Sequence, residues 1–219
     1  MRKIVFAERA FHKFKKYFKL VLATIIIIVF TKLFLLDFYW IPSVSMEPTL
    51  LKGDHVVALK IAYGFLFRIL PSRGDIVVFK LPADPSYYVK RVIALPDETV
   101  NIKLSDLIIN NKKVKKIYDV NVKKYKYIES DNVVLKEFAD NKSYSVMQSN
   151  IQMIPDFITP YTNTSSGLFL LGDNRSNSID SRNWGSVDKK RIIGKIVLIW
   201  LSIDPETHKI RWDRLGLVH

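Results

Sequence analysis

The longest apolar run in the chain is Leu20–Leu36, LVLATIIIIVFTKLFLL, broken only by Thr24, Thr31 and Lys32. As a helix it would reach about 25 Å at 1.5 Å per residue. That is just under the hydrocarbon core of a bilayer, and Phe38, Tyr39 and Trp40 can complete the span as an interfacial aromatic belt. Its polar residues fall on no consistent face, which argues against an amphipathic helix buried in a soluble core. Lys32 lies near the end of the run and can snorkel towards headgroups. The pattern predicts an N-terminal transmembrane helix over residues 20–37. The sequence that follows, DFYWIPSVSM, contains no small-x-small pair, so the reading is an uncleaved signal-anchor rather than a removable leader.

Beyond residue 37 the periodicity changes to short β-type runs separated by Gly, Pro, Asp and Asn. The predicted strands are His55–Leu59, Asp75–Phe79, Tyr88–Ala94, Thr99–Lys103, Leu107–Ile109, Leu168–Leu171 and Ile192–Leu201. Turn signals such as KGD, SRGD, LPDE and LGDN bound them. Short strands with little helical periodicity predict a mainly β chain, an antiparallel β domain over 38–219. Residues of about 101–165 are polar and rich in Asn and Lys, and read as an insertion into that domain. Ile61–Pro71, IAYGFLFRILP, is apolar but too short to span; it reads either as core or as a lip resting on a membrane surface.

Charge refines the picture. The chain of 219 residues has a formal net charge of +13. Residues 1–19 hold seven Lys or Arg against Glu8, and Lys103–Lys126 holds eight lysines against two aspartates. A basic block ahead of the apolar run orients 1–19 to the cytoplasm and everything after Tyr39 to the far side. There are no cysteines, which excludes thiol catalysis, disulfides and Cys-based metal sites. The four histidines, His12, His55, His208 and His219, are scattered without metal-ligand spacing, so no metal and no cofactor are expected.

Three segments can carry chemistry. In Pro42–Leu50, Ser43 and Ser45 are two apart in an extended, proline-bracketed stretch and face the same side. One can attack while the other donates to an oxyanion, although serine-proline clusters also form plain turns. A serine nucleophile needs a base. His55 is the one candidate histidine and sits in an ordinary alternating strand. In YYVKRVIALP, strand geometry puts Tyr88, Lys90, Val92 and Ala94 on one face. Lys90 on an apolar face can act as a base if burial lowers its pKa, or can simply pack its stem and expose its head. The third segment, Gly172–Gly185, has ten polar or charged residues in fourteen and alternates Asp with Arg. It reads as a solvated loop or as an ordered ion-pair network.

Together these segments resemble type I signal peptidase, the bacterial leader peptidase family. SVSMEPTL is similar to its serine box, KGDHVV and RGDIVVFK to its Gly-Asp strand starts, YYVKRVIALP to its lysine box and LGDNRSNSIDSRNWG to its late Gly-Asp-Asn box. They occur in the family's order, over most of residues 38–99 and 168–200. The resemblance implies a Ser-Lys serine endopeptidase with Ser45 as nucleophile and Lys90 as general base. It makes Ser43 an oxyanion-hole donor beside the Ser45 backbone N–H. It implies that Ser178 holds the lysine amine in line, and that Asp173, Asp180, Arg182 and Arg91 form a supporting ion-pair scaffold. The implied fold is a β catalytic domain with an inserted β subdomain behind a membrane anchor. The implied substrates are preproteins whose signal peptides are cut after small-x-small, typically Ala-x-Ala, on the outer face of the bacterial cytoplasmic (inner) membrane. Two departures stand out: Leu95-Pro96-Asp97-Glu98 where the family usually has Leu-Pro-Gly-Asp, and Ser176 where an acidic residue is common.

Two other classes compete. A self-cleaving repressor-type Ser-Lys protease would need an N-terminal DNA-binding helix pair, where this chain has an apolar run. An anchored binding protein could use the basic insertion for nucleic acid or anionic lipid, but no nucleic-acid motif is present and Tyr118, Tyr125 and Tyr127 are thin aromatic interleaving. The lipid bilayer is an expected partner and nucleic acid is not.

Overall fold

A computed structural model describes residues 2–60, 62–63, 70–82, 84–103, 105–119, 126–128, 131–149 and 157–218. The chain opens with helix α1 (Arg2–Phe30), which widens into a π-helical turn at Thr31–Leu35. Among the described residues the strands that follow are β1 (Leu36–Trp40), β2 (Asp54–Leu59), β3 (Ile76–Leu81), β4 (Asp84–Ala94), β5 (Thr99–Lys103), β6 (Asp106–Ile109), β7 (Lys112–Lys113), β8 (Lys115–Tyr118), β9 (Asn132–Ala139), β10 (Lys142–Ser149), β11 (Phe157–Thr162), β12 (Gly167–Leu171), β13 (Val187–Asp188), β14 (Ile192–Ser202) and β15 (Gly216–Leu217). A single helical turn, α2 (Ser181–Trp184), lies between β12 and β13.

The N-terminal segment differs from the expected span over 20–37. Among the described residues no helix is long and apolar enough to cross a membrane. The reason is how the apolar run is divided. Helix α1 takes in the basic block and only the first part of the run, the π turn takes Thr31–Leu35 with Lys32, and Leu36 and Asp37 already belong to β1. Asp37 pairs with Lys32 and, at 3.3 Å, with Lys60, which ties the end of the π turn to the sheet.

The strands form a mainly antiparallel β fold. The main sheet runs β1-β2-β14-β3-β4-β12-β13, with β15 added to β14. Strand β3 opens on a continuous apolar run, Ile76–Phe79, because both of its faces are covered there. Val77 and Phe79 pack with Val92, Leu168 and Leu170 on one side, while Ile76 and Val78 pack with Val56, Ala58 and Ile196 on the other. Residues 99–162 contribute a four-stranded sheet, β11-β5-β6-β7, and a three-stranded one, β10-β9-β8. Their Val100, Ile102, Leu107, Leu135 and Val146 share a core with Ile93, Phe169 and Leu171 of the main sheet. In the apolar segment Ile61–Pro71, Ile61 and residues 64–69 lie outside the described residues, so the lip expectation falls there.

The turn after β4 explains one departure. Glu98 N–H donates to the Leu95 carbonyl at 3.3 Å, and Asp97 takes φ 64°. That left-handed conformation is where a glycine is easiest to place. Glu98 compensates by accepting from Leu95 N–H and from Arg73, both at 2.7 Å. Asp97→Gly is expected to stabilise the fold by about 1 kcal/mol. That should raise the melting temperature by ~2–4 °C in a scan of the purified protein.

Candidate active site

Ser45 sits in the loop between β1 and β2. Ile41 N–H donates to Asp54 O (2.8 Å) and Gly53 N–H to Ile41 O (2.9 Å), which pinches the loop at its base. Met46 and Leu50 are buried in the core and bonded to each other, Leu50 N–H to Met46 O at 2.9 Å. The serine is therefore carried on a loop that is pinned beneath it. Lys90 projects from β4, where it pairs with Val77 of β3, and is 4% exposed.

The two meet. Lys90 Nζ lies 2.6 Å from Ser45 Oγ, and Ser43 Oγ lies 3.2 Å from the same oxygen. They share a cavity of about 330 Å³ whose walls include Tyr39, Ile41, Met46, Tyr87 and Val89. Burial against this apolar wall pushes the Lys90 amine down from its ordinary range to about 8; Asp180 and Asp173 oppose the shift and Arg182 assists it. A neutral amine this close to a hydroxyl can accept its proton, and the charged amine donates to the same oxygen.

The loop after β12 closes the site from behind. Asn174 N–H donates to Ser45 O (3.1 Å) and its Nδ2 to Val44 O (3.2 Å). Asp173 receives Arg91 through two buried bonds of 2.7 Å and Thr49 Oγ1 through a part-buried one of 2.5 Å. Asp180 accepts Arg182 at 2.8 and 2.9 Å and Gly172 N–H at 3.0 Å, and caps α2 through Arg182 N–H. Arg175 reaches across to Glu137 of β9 with bonds of 2.7 and 2.6 Å.

The sequence-derived residues Ser43, Ser45, Lys90, Arg91, Asp173, Asp180 and Arg182 thus converge on one place. Ser178 is also there, but with a different contact from the one expected. Its Oγ is buried with no hydrogen-bond partner among the described residues, and it packs beside Gly172 and the Ser45 carbonyl. The Lys90 amine is bonded to Ser45 instead. His55 is elsewhere, its ring against Trp200 at 5.7 Å. Among the described residues no group of His, Asp or Glu is arranged to hold a metal.

A family model for signal peptidase, peptidase S26, matches residues 14–201. The chain belongs to that family. Similar curated proteins include the signal peptidase I of Pseudomonas aeruginosa, 30% identical over 93% of this chain and 79% of that one. The signal peptidase I of Buchnera aphidicola subsp. Baizongia pistaciae is 31% identical over 89% and 81%. A crystal structure of a signal peptidase I from Enterococcus faecalis V583 is 28% identical and covers 57% of this chain and 95% of its own, with a TM-score of 0.38. The protein is a peptidase of the signal peptidase I kind.

Some residues of this peptidase's site were not singled out from the sequence. Thr49, Asn174 and Arg175 lie inside the segments singled out above but carry no individual role there, and Glu137 lies outside them, in what reads as ordinary polar insertion. Gly172 is one more. A Cβ there would stand 2.4 Å from Ser45 O and 2.3 Å from Ser178 Oγ, closer than any real contact. Gly172→Ala must push the nucleophile's backbone or the loop aside. A displacement of about 1 Å costs on the order of 100-fold in kcat, and a preprotein-cleavage assay on the folded variant should show that loss with little change in KM. Ser176, the other departure, accepts Ser149 N–H at 2.9 Å and so joins the loop to the end of β10.

Proposed function

We propose that the chain is a membrane-anchored serine endopeptidase that removes N-terminal signal peptides from exported preproteins after small-x-small sites. The observation that carries this reading is the 2.6 Å approach of Lys90 Nζ to Ser45 Oγ inside an apolar cavity. Neutral Lys90 takes the hydroxyl proton as Ser45 Oγ attacks the scissile carbonyl carbon. The Ser43 hydroxyl and the Ser45 backbone N–H receive the oxyanion. Lys90, now charged, returns that proton to the leaving amine of the mature chain as the C–N bond breaks. A water then attacks the acyl-enzyme with Lys90 as its base. Collapse of the second intermediate frees the signal peptide's carboxylate, and Lys90 reprotonates Ser45.

Asp173 with Arg91, and Asp180 with Arg182, hold the loop that backs the nucleophile. Ser178 offers a buried hydroxyl to the amine once the Ser45 proton has moved. Ser178→Ala is expected to lower kcat by roughly tenfold without abolishing it.

Residues 38–219 are the extracytoplasmic peptidase domain with its insertion at about 101–165, and residues 20–37 the anchor in the bacterial cytoplasmic membrane, with residues 1–19 inside. The apolar composition of the run that α1 and the π turn share, and the basic block before it, support this topology. Ser45 follows Leu36 by nine residues, so it stays within about 30 Å of the bilayer, where signal-peptide cleavage sites emerge. The full chain should resist alkaline extraction from membranes, and a form lacking residues 1–37 should not.

The test of mechanism is a purified Ala-x-Ala preprotein incubated with the detergent-solubilised protein. One cleavage is expected. Ser45→Ala and Lys90→Ala should each remove it, and the double variant should be no worse than either. His55→Ala should retain activity. Substantial kcat in either single variant would refute the dyad.

A further inference from the structure

The cavity around the dyad has an end away from it. Tyr87 lines the cavity three residues before Lys90 on β4, about 10 Å along the strand, and Tyr39 of β1 lines it too. The two rings meet edge to face, their centroids 5.1 Å apart and their planes at 61°. In an extended substrate the last residue before the cut bond and the one two earlier share a face, about 7 Å apart. With the last residue at Ser45, the earlier small residue comes to the two tyrosines.

Each ring is held from outside the cavity. Tyr87 pairs with Lys80 of β3, whose ammonium lies 4.3 Å from the ring centroid. Tyr39 is held by its hydroxyl, which donates to Asp37 Oδ2 at 3.2 Å. Asp37 and Tyr39 are two apart on β1 and share a face, while Phe38 between them turns its ring to Trp200, 6.1 Å away.

Asp37 is itself fixed on several sides. Its Oδ1 accepts Phe38 N–H at 3.1 Å and the Lys32 ammonium, and its Oδ2 lies 3.3 Å from Lys60 Nζ. Lys60 closes the group, donating from its side chain to Lys32 O at 3.1 Å and from its backbone N–H to Leu35 O at 2.9 Å. One carboxylate therefore joins the end of the π turn to a wall of the substrate cavity.

We infer that Asp37 is a positioning residue for substrate selection. Through the Tyr39 hydroxyl it fixes the wall that meets the earlier small residue, an inference that rests on the signal-peptide reading above. Without the carboxylate the half-buried hydroxyl must turn to water, because leaving it unpaired is costly. The ring then leaves the wall, and a larger side chain is admitted there.

The experiment uses the full-length protein in detergent and two purified preproteins that differ only at that residue, one Ala-x-Ala and one Val-x-Ala. The quantity read is the ratio of their kcat/KM values, alanine over valine. It is internal to each enzyme, so a general loss of activity or stability does not move it. Asp37→Ala should lower the ratio about fivefold, the size expected of one hydrogen bond. Tyr39→Phe, which removes only the hydroxyl, should lower it as well, and adding Asp37→Ala to it should change it no further. Should Asp37→Ala not fold, Tyr39→Phe decides alone. Failure of the unmodified protein to cut even Ala-x-Ala would reject the signal-peptide reading itself. Equal cleavage of both preproteins by that protein, a ratio that either single variant leaves unchanged, or a double variant that falls by the product of the two single effects would overturn the positioning role alone.

Discussion

Lys90→Met is expected to abolish cleavage and, at neutral pH, to make the folded protein more stable. Activity should drop by 10⁴-fold or more, because the serine loses its base and the leaving amine its acid. The stability effect has the opposite sign because the amine is held in a dry place. Its folded pKa is about 8, below the ordinary value of 10.5. Below pH 8 both folded and unfolded chains carry the charge, and the folded one bears its desolvation, about 3 kcal/mol by the size of the shift. Between pH 8 and 10.5 the folded state releases its proton first, so the unfolded state binds more protons and wild-type stability rises with pH. Above 10.5 the deficit has gone. Methionine fills similar space without a charge, so its advantage should be largest at pH 7 and fade across that window. Thermal melts of both proteins between pH 7 and 10.5 measure it. A variant that is less stable at pH 7, with no trend in pH, would show that the lysine head is solvated. The same titration should give wild-type kcat/KM an acidic limb with a midpoint near pH 8.

Arg91→Met carries the second large effect, in the other direction. Arg91 is 1% exposed and Asp173 is fully buried, so their two bonds lie out of solvent. Its Nη1 also donates to Gly74 O at 2.7 Å and its Nη2 to Thr49 Oγ1 at 3.3 Å, and its guanidinium lies over the Tyr144 ring at 4.3 Å. Removing it strands the Asp173 carboxylate in the interior, which costs about 3–5 kcal/mol. Denaturant melts should register the loss. Activity should fall too, since Asp173 precedes the asparagine that grips the Ser45 carbonyl. Arg91→Met combined with Asp173→Leu should recover most of the stability, because a missing pair is far less costly than a broken one. If the double variant is as unstable as the single one, the damage lies in lost packing against Tyr144 rather than in the uncompensated charge.

Strands of both the main sheet and the β11-β5-β6-β7 sheet could be read from alternation and turn residues. Thr99–Lys103 matches its strand end to end, and the runs at His55, Leu107, Leu168 and Ile192 lie inside β2, β6, β12 and β14 with one residue added at one end or the other. Lys90 could be singled out as a charge on an apolar strand face, whereas the choice of Ser45 over Ser43 and the roles of Ser45 and Lys90 came from the resemblance to the family's serine and lysine boxes. Strand β1 was hidden, since Leu36–Trp40 continues an apolar run that promises helix, and pairing with Leu59–His55 decides otherwise. Strands β9 and β10 were hidden for a different reason. Their inward positions include Glu137, which breaks the alternation because its partner Arg175 is 38 residues away. The placing of Ser178 Oγ beside Gly172 and the Ser45 carbonyl could not be read either, because it depends on a close approach of two backbone segments distant in sequence.

The chain arrives at its own active site late. Ser45 and Lys90 both lie in the first half of the sequence, but the Val44 carbonyl is fixed by Asn174, 130 residues further on, and Asp54 beneath the loop is held by Arg214. A chain made only as far as β10 therefore lacks the groups that brace the Ser45 loop. Long-range closure of this kind is slow to form, so the site is expected to assemble late in folding, after the strands that carry Ser45 and Lys90 have paired.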